Sequence, residues 1–423
     1  MVVVVPYLHP VGIPLILLSS LVVAADSTIC KVVSGATVFY CCCRILFVRM
    51  VTVKWLEDNC FLVKNEKSEQ LKHSHFFLQG MNFPIYCCGS QSLEEDTSFE
   101  GLSCIAEEEQ SMLDAFLLSQ WEDRMWKGCF RYDVTTSEIK VIAGKMKFFS
   151  QLNEAQITDH LAKSEGTLPA WDHFVFDGMK HPEELLFCLA GSKKAKSELI
   201  HVASVPDSAI LVIINVTPVE YGHVYLVPCT SNRRYQHLDA RTVEMVTRIA
   251  AEINNHSFRV FYNCYRPNCS DVYFQACYFS DPLPVEFRPV DTLLSGGRRG
   301  IHICSVIDYP IKTISFQTTR NLKIMAVAIS EICSHLEEKN VQYNLMISDS
   351  GKKIFLFLQQ PFAASHAISA WECGGYFLFK NRYEFDEVTE DAMLKRLSCF
   401  SLNDNDFEAV KQLCCSIASK FDI

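Results

Sequence analysis

The sequence lacks both of the glycine-rich motifs that most often bind nucleotide phosphates. It contains no G-x-G-x-x-G and no G-x-x-x-x-G-K-[ST], which are the phosphate loops of dinucleotide-binding folds and of P-loop enzymes. The basic stretch SGGRRG, residues 295 to 300, has a composition more typical of a flexible surface loop. Neither standard phosphate-binding fold is therefore predicted.

Positive charge is also in short supply. The chain of 423 residues has 39 Lys and Arg against 49 Asp and Glu, which gives a formal net charge of -10. A broad nucleic-acid-binding surface requires a basic excess, so we expect no nucleic-acid partner. A local basic pocket for one small phosphorylated ligand is compatible with this balance.

The 20 cysteines show neither a disulfide framework nor the spacing of a metal site. They are scattered, and some are contiguous, as in the run from Cys41 to Cys43. Cys264, Cys269 and Cys277 are near one another in sequence, but no C-x-x-C pair accompanies them. We therefore expect reduced thiols and a cytoplasmic location, with neither a metal nor a cofactor.

Residues 1 to 25 contain no Asp, Glu, Lys or Arg. The apolar run within residues 11 to 27 is followed by small residues, as in a signal peptide, but no Lys or Arg precedes it. Pro6, Pro10 and Pro14 interrupt any helix that could span a bilayer. This pattern favours an N-terminal extension over a signal peptide, and it predicts no membrane association.

Hydrophobic periodicity indicates helices and strands in an irregular order. Apolar residues recur at helical spacing in three segments, which are residues 111–128, 237–253 and 322–336. Strand-like runs occupy four further segments, which are residues 209–228, 258–263, 271–279 and 344–358, the last with a turn at 349–351. Because regular β-α-β alternation is missing, the sequence predicts an α+β fold with a mainly antiparallel sheet.

The stretch CSDVYFQACYF, residues 269 to 279, is typical of a buried strand that carries a row of polar groups. Successive side chains of a strand point to opposite faces. Asp271, Tyr273 and Gln275 therefore share one face, and Phe274 lies on the other. Such a row predicts either a functional site or the remains of one.

Several stretches resemble one enzyme family in the same order along the chain. INVTPVEYGHVYLVP, residues 214 to 228, resembles the strand-turn-strand of the histidine-triad superfamily, whose members transfer nucleotidyl groups. The plant GDP-L-galactose phosphorylases and the related GDP-D-glucose phosphorylases are the more specific resemblance, through QWEDRMWKGCFRYDV, GKMKFFSQLNE, EELLF, FRVFYN, FQACYF, PLPVE and YNLMISDSGKKIFL. It covers roughly residues 117 to 420.

This resemblance implies a histidine-triad-like α+β fold, in which helices flank a mainly antiparallel sheet. It also implies a division of the chain into three parts. Residues 1 to 110 are then a divergent N-terminal extension with an acidic linker, and residues 111 to 290 are the nucleotidyltransferase core. Residues 291 to 423 are a C-terminal α+β part of the same phosphorylase fold.

In the family that the chain resembles, the strand corresponding to SDVYFQA carries His-x-His-x-Gln. The middle histidine attacks the phosphorus bonded to guanosine and expels sugar 1-phosphate, and inorganic phosphate then cleaves the guanylyl-histidine to GDP. Position by position, the resemblance places Asp271 at the first histidine, Tyr273 at the nucleophile and Gln275 at the family glutamine. Both histidines are replaced.

The replacements oppose the family chemistry in two ways. An unperturbed tyrosine has a pKa of about 10, so phenolate formation at pH 7 costs about 4 kcal/mol before nucleophilicity is compared. A carboxylate at Asp271 adds to this cost, because two like charges about 4 Å apart repel by roughly 4 kcal/mol at an effective dielectric constant near 20. Loss of most phosphorylase activity is therefore expected.

Other departures converge on the same pocket. Phe261 stands where the family typically has glycine, and Arg266 and Pro267 replace a loop of small residues. Glycine lets the backbone approach a ligand closely, whereas bulky residues and proline restrict that approach. Gln156 stands where an arginine is expected, which removes one phosphate-binding charge.

Four residues match family positions that the resemblance assigns to substrate binding, namely His223, Lys145, Gln151 and Asn153. Each also has a purely structural interpretation. His223 and Gln275 are compatible with buried groups that are satisfied within the fold, Lys145 with a solvated lysine and Asn153 with a turn amide.

Three hypotheses follow for the function. The chain is a GDP-hexose phosphorylase of ascorbate biosynthesis with a substitute nucleophile, a noncatalytic homologue that binds guanine nucleotide or a protein partner, or a decayed family member. His237 and His256 lie near the ends of a predicted helix, so neither is an evident substitute nucleophile. The implied ligands of an active protein are a GDP-sugar and inorganic phosphate. The sequence leaves the oligomeric state open.

Overall fold

A computed structural model describes the larger part of the protein. The described residues are 82–89, 110–154, 181–206, 208–229, 238–264, 272–296, 300–318, 321–361 and 368–421. The apolar run of residues 11 to 27, Gln156, His237, the segment Arg266 to Asp271 and residues 297 to 299 of SGGRRG lie outside these ranges.

The described ranges contain both strands and helices. The strands are β1 (Asn82–Cys88), β2 (Glu138–Val141), β3 (Phe149–Leu152), β4 (Leu185–Gly191), β5 (Glu198–Ser204), β6 (Ile210–Ile214), β7 (Tyr221–Pro228), β8 (Phe258–Asn263), β9 (Phe274–Tyr278), β10 (Val290–Leu294), β11 (His302–Val306), β12 (Thr313–Gln317), β13 (Gln342–Ser348), β14 (Lys353–Gln359) and β15 (Tyr376–Phe379). The helices are α1 (Met112–Trp126), α2 (Ala240–Ile253), α3 (Leu322–Glu338), α4 (Ala370–Gly374), α5 (Arg382–Glu387), α6 (Glu390–Phe400) and α7 (Asp404–Ser419).

Twelve of these strands form one large sheet in the order β10-β11-β12-β14-β13-β8-β9-β7-β6-β4-β1-β5. Its described pairs are antiparallel except for β1 beside β4. The predicted α+β class with a mainly antiparallel sheet is confirmed. Strand β1 lies within the predicted N-terminal extension, yet it pairs with β4 and β5, and Ile85 and Tyr86 are buried in the core.

The three predicted helices form where their apolar spacing placed them. Helix α1 begins after Ser111, whose hydroxyl accepts a hydrogen bond from the Asp114 amide, and it buries Leu113, Leu117 and Trp121. In α2, an Asp239 side chain caps the first turn in the same manner. An asparagine caps α3. Capping and amphipathic spacing therefore agree in each helix, which is why the sequence pattern located all three.

The predicted turn at residues 349 to 351 joins β13 to β14. Asp349, Ser350 and Gly351 have φ angles of 50°, 49° and 80°, a left-handed conformation that asparagine, aspartate and glycine adopt most readily. The turn sets a regular antiparallel register, in which Ser348 pairs with Lys353. The hairpin prediction is confirmed.

The two faces of the large sheet bury different side chains. One face, here called the helix face, packs against α1, α2, α3 and α7. The opposite face, here called the site face, carries His223, Tyr273 and Gln275. Phe274 and Ala276 belong to the core of the helix face, so the predicted alternation holds from Tyr273 onward, although β9 itself begins at Phe274.

A second, three-stranded sheet lies over part of the site face, in the order β15-β3-β2. Strand β15 pairs parallel with β3, which brings the C-terminal part of the chain beside residues 149 to 152. The Gln151 amide and the Tyr376 hydroxyl connect this small sheet to the segment between β6 and β7.

Two further properties concern the described ranges as a whole. None of their helices combines the length and the apolar character that a bilayer span requires. In the same ranges, no three His, Cys, Asp or Glu side chains are grouped closely enough to hold a metal ion.

Candidate active site

His223 lies on β7 with its side chain fully buried. Its Nδ1 accepts a hydrogen bond of 2.9 Å from the Val219 amide, so this nitrogen carries no proton. Its Nε2 is 3.0 Å from Gln275 Oε1 and is therefore the protonated nitrogen that donates to the amide oxygen. Burial lowers the pKa of His223 to about 3, although the bond to Gln275 opposes this shift. The imidazole is neutral at physiological pH.

Gln275 lies on β9 directly opposite Tyr225 of β7. Its side chain is 1% exposed, and its amide oxygen accepts a hydrogen bond from His223 Nε2. The structure thus joins two of the predicted site residues, which are 52 residues apart in sequence. This contact fixes both the tautomer and the orientation of the histidine.

Tyr273 lies immediately before β9 and is 2% exposed. Its ring meets the Tyr225 ring edge to face at a centroid distance of 5.7 Å. It belongs to an apolar cluster that includes Ile213 and Leu211 of β6. Asp271 falls outside the described residues, so its predicted place beside Tyr273 remains a prediction.

Gln151 and Asn153 approach the same region from the small sheet. Gln151 Nε2 donates a hydrogen bond of 2.8 Å to the Val219 carbonyl, one peptide group away from the amide that binds His223. The Asn153 side chain bonds the hydroxyl of Tyr132, which itself donates to the carbonyl of the residue before Val219. Both amides therefore support the β6-β7 connection that holds the histidine.

Lys145 lies apart from this network. Its side chain is exposed, and its backbone amide donates to Glu390 at 3.0 Å. The structure brings His223, Gln275, Gln151 and Asn153 together around residues 218 and 219, but it places Lys145 on the segment between β2 and β3. The role of Lys145 in substrate binding stays a prediction.

Two aromatic residues frame the histidine on the site face. Trp371 of α4 is fully buried, and its ring meets the His223 ring edge to face at 6.1 Å. Phe261 of β8 packs against the same indole at 5.8 Å and is 1% exposed. Trp371 was not predicted as a site residue. Its contact depends on a short helix whose position relative to β7 has no local sequence signature.

A partly buried carboxyl group, also missed in the sequence, connects the small sheet to the site. Tyr376 of β15 donates a short hydrogen bond to Glu220 Oε1, three residues before His223. Burial raises the pKa of Glu220 to about 7, and hydrogen bonds from Tyr376 and from the Tyr221 amide oppose this shift. The acidic residue therefore titrates near neutral pH.

This titration predicts a specific pH dependence of stability. Because the folded state holds the Glu220 proton more tightly than the unfolded state, stability is highest below the unfolded value near 4.5 and falls as pH rises through about 7. The predicted loss is on the order of 3 kcal/mol. We expect Glu220→Gln to remove this component from urea-unfolding free energies measured at pH 5 and pH 8.

Glu384→Gln is the matched control, since Glu384 is exposed on α5. It should leave the wild-type dependence on pH intact. An unchanged pH dependence in Glu220→Gln would contradict the assignment of the titration to Glu220.

Comparison with known proteins identifies the family. The GDPGP1-like N-terminal domain model matches residues 112–277, and the GDPGP1-like C-terminal domain model matches residues 284–421. GDP-L-galactose phosphorylase 2 of Arabidopsis thaliana is 30% identical over 79% of this chain and 82% of its own length. The chain belongs to the GDP-hexose phosphorylase family.

Animal relatives and a solved structure extend the comparison. GDP-D-glucose phosphorylase 1 of Xenopus laevis is 25% identical over 74% of this chain and 87% of its own length. The crystal structure of yeast Ap4A phosphorylase Apa2 aligns with a TM-score of 0.48 and 12% identity, over 69% of this chain and 98% of that chain. The predicted membership of the GDP-hexose phosphorylase family is confirmed by the domain models and the plant relatives.

Proposed function

We propose that this member of the GDP-hexose phosphorylase family binds guanine nucleotide but has lost most or all phosphorolysis of GDP-L-galactose. The reaction concerned converts GDP-L-galactose and phosphate into L-galactose 1-phosphate and GDP, a step of ascorbate biosynthesis. The observation that carries the proposal is Tyr273, a phenol packed in an apolar cluster at the position that the family resemblance assigns to the nucleophilic histidine. A phenol with the ordinary tyrosine pKa of about 10 is a poor nucleophile at pH 7, and Tyr273 is only 2% exposed.

His223 does not substitute for the missing nucleophile. A nucleophilic imidazole needs one nitrogen with a free lone pair. In His223, Nδ1 accepts a hydrogen bond from the Val219 amide, and Nε2–H donates a hydrogen bond to Gln275 Oε1. Both nitrogens are therefore engaged in holding the fold of the site.

Cys277 is the other nucleophilic side chain in this row, two residues beyond Gln275. It is fully buried, and burial together with the charge of Glu220 raises the pKa of its thiol well above the usual range. The thiolate is the reactive form, so this thiol is inert near neutral pH. Neither His223 nor Cys277 thus replaces the family histidine.

Nucleotide binding is supported by what this region retains. His223, Gln275, Gln151 and Asn153 keep the residue types of the family positions and form one connected set of hydrogen bonds. Gln151 Oε1 is buried and accepts no hydrogen bond from any described residue. A buried acceptor of this kind gains free energy from an N–H or O–H donor, such as a nucleotide provides.

The test combines turnover with binding on the full-length protein. We expect GDP formation from GDP-L-galactose and phosphate at less than about 0.001 per second, whereas typical enzymes turn over at about 1 per second or faster. Calorimetric titration with GDP is expected to give a dissociation constant below about 1 mM. Turnover at an ordinary rate would refute the loss of activity, and the absence of GDP binding would refute the retained nucleotide site.

A further inference from the structure

An anion-binding arrangement of backbone amides lies between β2 and β3. The Glu390 carboxylate accepts hydrogen bonds from two consecutive backbone amides, those of Lys145 at 3.0 Å and Met146 at a shorter distance. Consecutive amides that converge on one anion form a nest, which is a recurring way for a backbone to bind carboxylate or phosphate. In this protein, the anion is supplied by the first residue of α6.

The backbone of this segment is shaped for close approach of an anion. Gly144 has a φ of 157°, and a Cβ atom there would lie 2.1 Å from the carboxyl carbon of Glu390. Lys147 has a φ of 59°, which is uncommon for a residue with a side chain. The missing side chain of Gly144 therefore leaves the space that the Glu390 carboxylate fills. The left-handed backbone of Lys147 follows directly after the two amides.

Positive charge surrounds the same segment. The side chains of Lys145 and Lys147 are exposed, and neither forms an ion pair within the described residues. Glu390 and its neighbour Asp391, both on the first turn of α6, contribute two negative charges against these two positive charges. An oxyanion with more charge and more acceptor oxygens than a carboxylate gains from both the amides and the lysines.

Glu390 also has a favourable position outside the nest. It is the first residue of α6, where the helix dipole stabilises negative charge, and the Thr389 hydroxyl already caps this helix. When the carboxylate leaves the two amides, the dipole of α6 therefore continues to stabilise its negative charge. This makes displacement by an external anion physically accessible.

We propose that the amides of Lys145 and Met146 form an oxyanion site for which inorganic phosphate, or a terminal phosphate group, competes with the Glu390 carboxylate. The nest holds one anion at a time. Because residues 144 to 146 and Glu390 fall in the two different family-model segments, phosphate binding releases a contact between those segments. The site is separate from the polar row around His223, so it does not depend on the proposed nucleotide binding.

Amide resonances of the full-length protein test the proposal. With ¹⁵N-methionine labelling, the Met146 signal is followed while inorganic phosphate is added at constant ionic strength, with chloride as the reference anion. We expect the half-saturating phosphate concentration to be about tenfold lower, or lower still, in Glu390→Gln than in the wild type, because the competing carboxylate is removed.

Asp391→Asn is the matched control, since Asp391 carries the same charge on the same helical turn and is exposed. It should leave the half-saturating concentration unchanged. Equal phosphate responses in the wild type and Glu390→Gln, or an equal gain in Asp391→Asn, would overturn the proposal.

Two more variants cover a failure of Glu390→Gln to fold. Glu390→Asp keeps the helix charge but shortens the side chain, so it should also lower the half-saturating concentration. Gly144→Ala added to either variant should abolish the response, since its Cβ would occupy the anion position. A response that survives Gly144→Ala would place phosphate elsewhere and overturn the proposal.

Discussion

Changing Asp271 and Tyr273 to His together is expected to raise GDP release from GDP-L-galactose by about 100-fold or more. The double variant restores the His-x-His-x-Gln pattern of the family beside Gln275. It also removes the cost of about 4 kcal/mol that ionisation of a phenol imposes at pH 7. An imidazole has a lone pair available near that pH and forms a labile phosphoramidate. GDP formation with and without phosphate measures the gain.

Tyr225→His is the matched control for this experiment. Tyr225 lies on the same face of the sheet and contacts the Tyr273 ring, but it does not occupy the family nucleophile position. Tyr225→His should not raise the rate of GDP formation. A double variant as inactive as the wild type would show that the substitutions at 271 and 273 are not the cause of the lost activity, and would direct attention to Phe261 in the place of the family glycine.

Trp371→Ala is expected to lower the free energy of unfolding by about 3 to 5 kcal/mol. The indole is fully buried and touches both His223 and Phe261, so its removal leaves a cavity that the sheet cannot close. Urea unfolding at pH 7 measures the loss. The same variant should weaken GDP binding, because it removes the ring that packs against His223.

Trp126 provides the comparison, since it is 56% exposed at the end of α1. Trp126→Ala should change the unfolding free energy by only about 0.5 kcal/mol. Equal losses in the two variants would mean that Trp371 does not form part of the core beneath the site.

Local patterns predicted the parts of this structure that depend on local physics. Amphipathic spacing and caps located α1, α2 and α3, and the turn residues located the β13-β14 hairpin. Strand alternation placed Tyr273 and Gln275 on one face. These predictions required only neighbours a few residues apart.

The remaining contacts depend on residues that the chain brings together from far apart. Glu220 bonds Tyr376, which is 156 residues away, and Lys145 bonds Glu390, which is 245 residues away. Nothing in the local sequence around Glu220 distinguishes it from a solvated carboxylate. The raised pKa of Glu220 and the contact of Glu390 with the Lys145 amide therefore depend on the tertiary fold.

The pairing of β15 with β3 has a consequence for how this chain folds. Phe149 pairs with Tyr376, and β8 pairs with β13. In each sheet, a strand from residues 284–421 therefore pairs with a strand from residues 112–277. The described residues accordingly belong to one compact unit. Such non-local topology raises the contact order and slows folding. During synthesis, β3 and β8 emerge before their partners β15 and β13, and their open edges must remain protected from aggregation until those strands leave the ribosome.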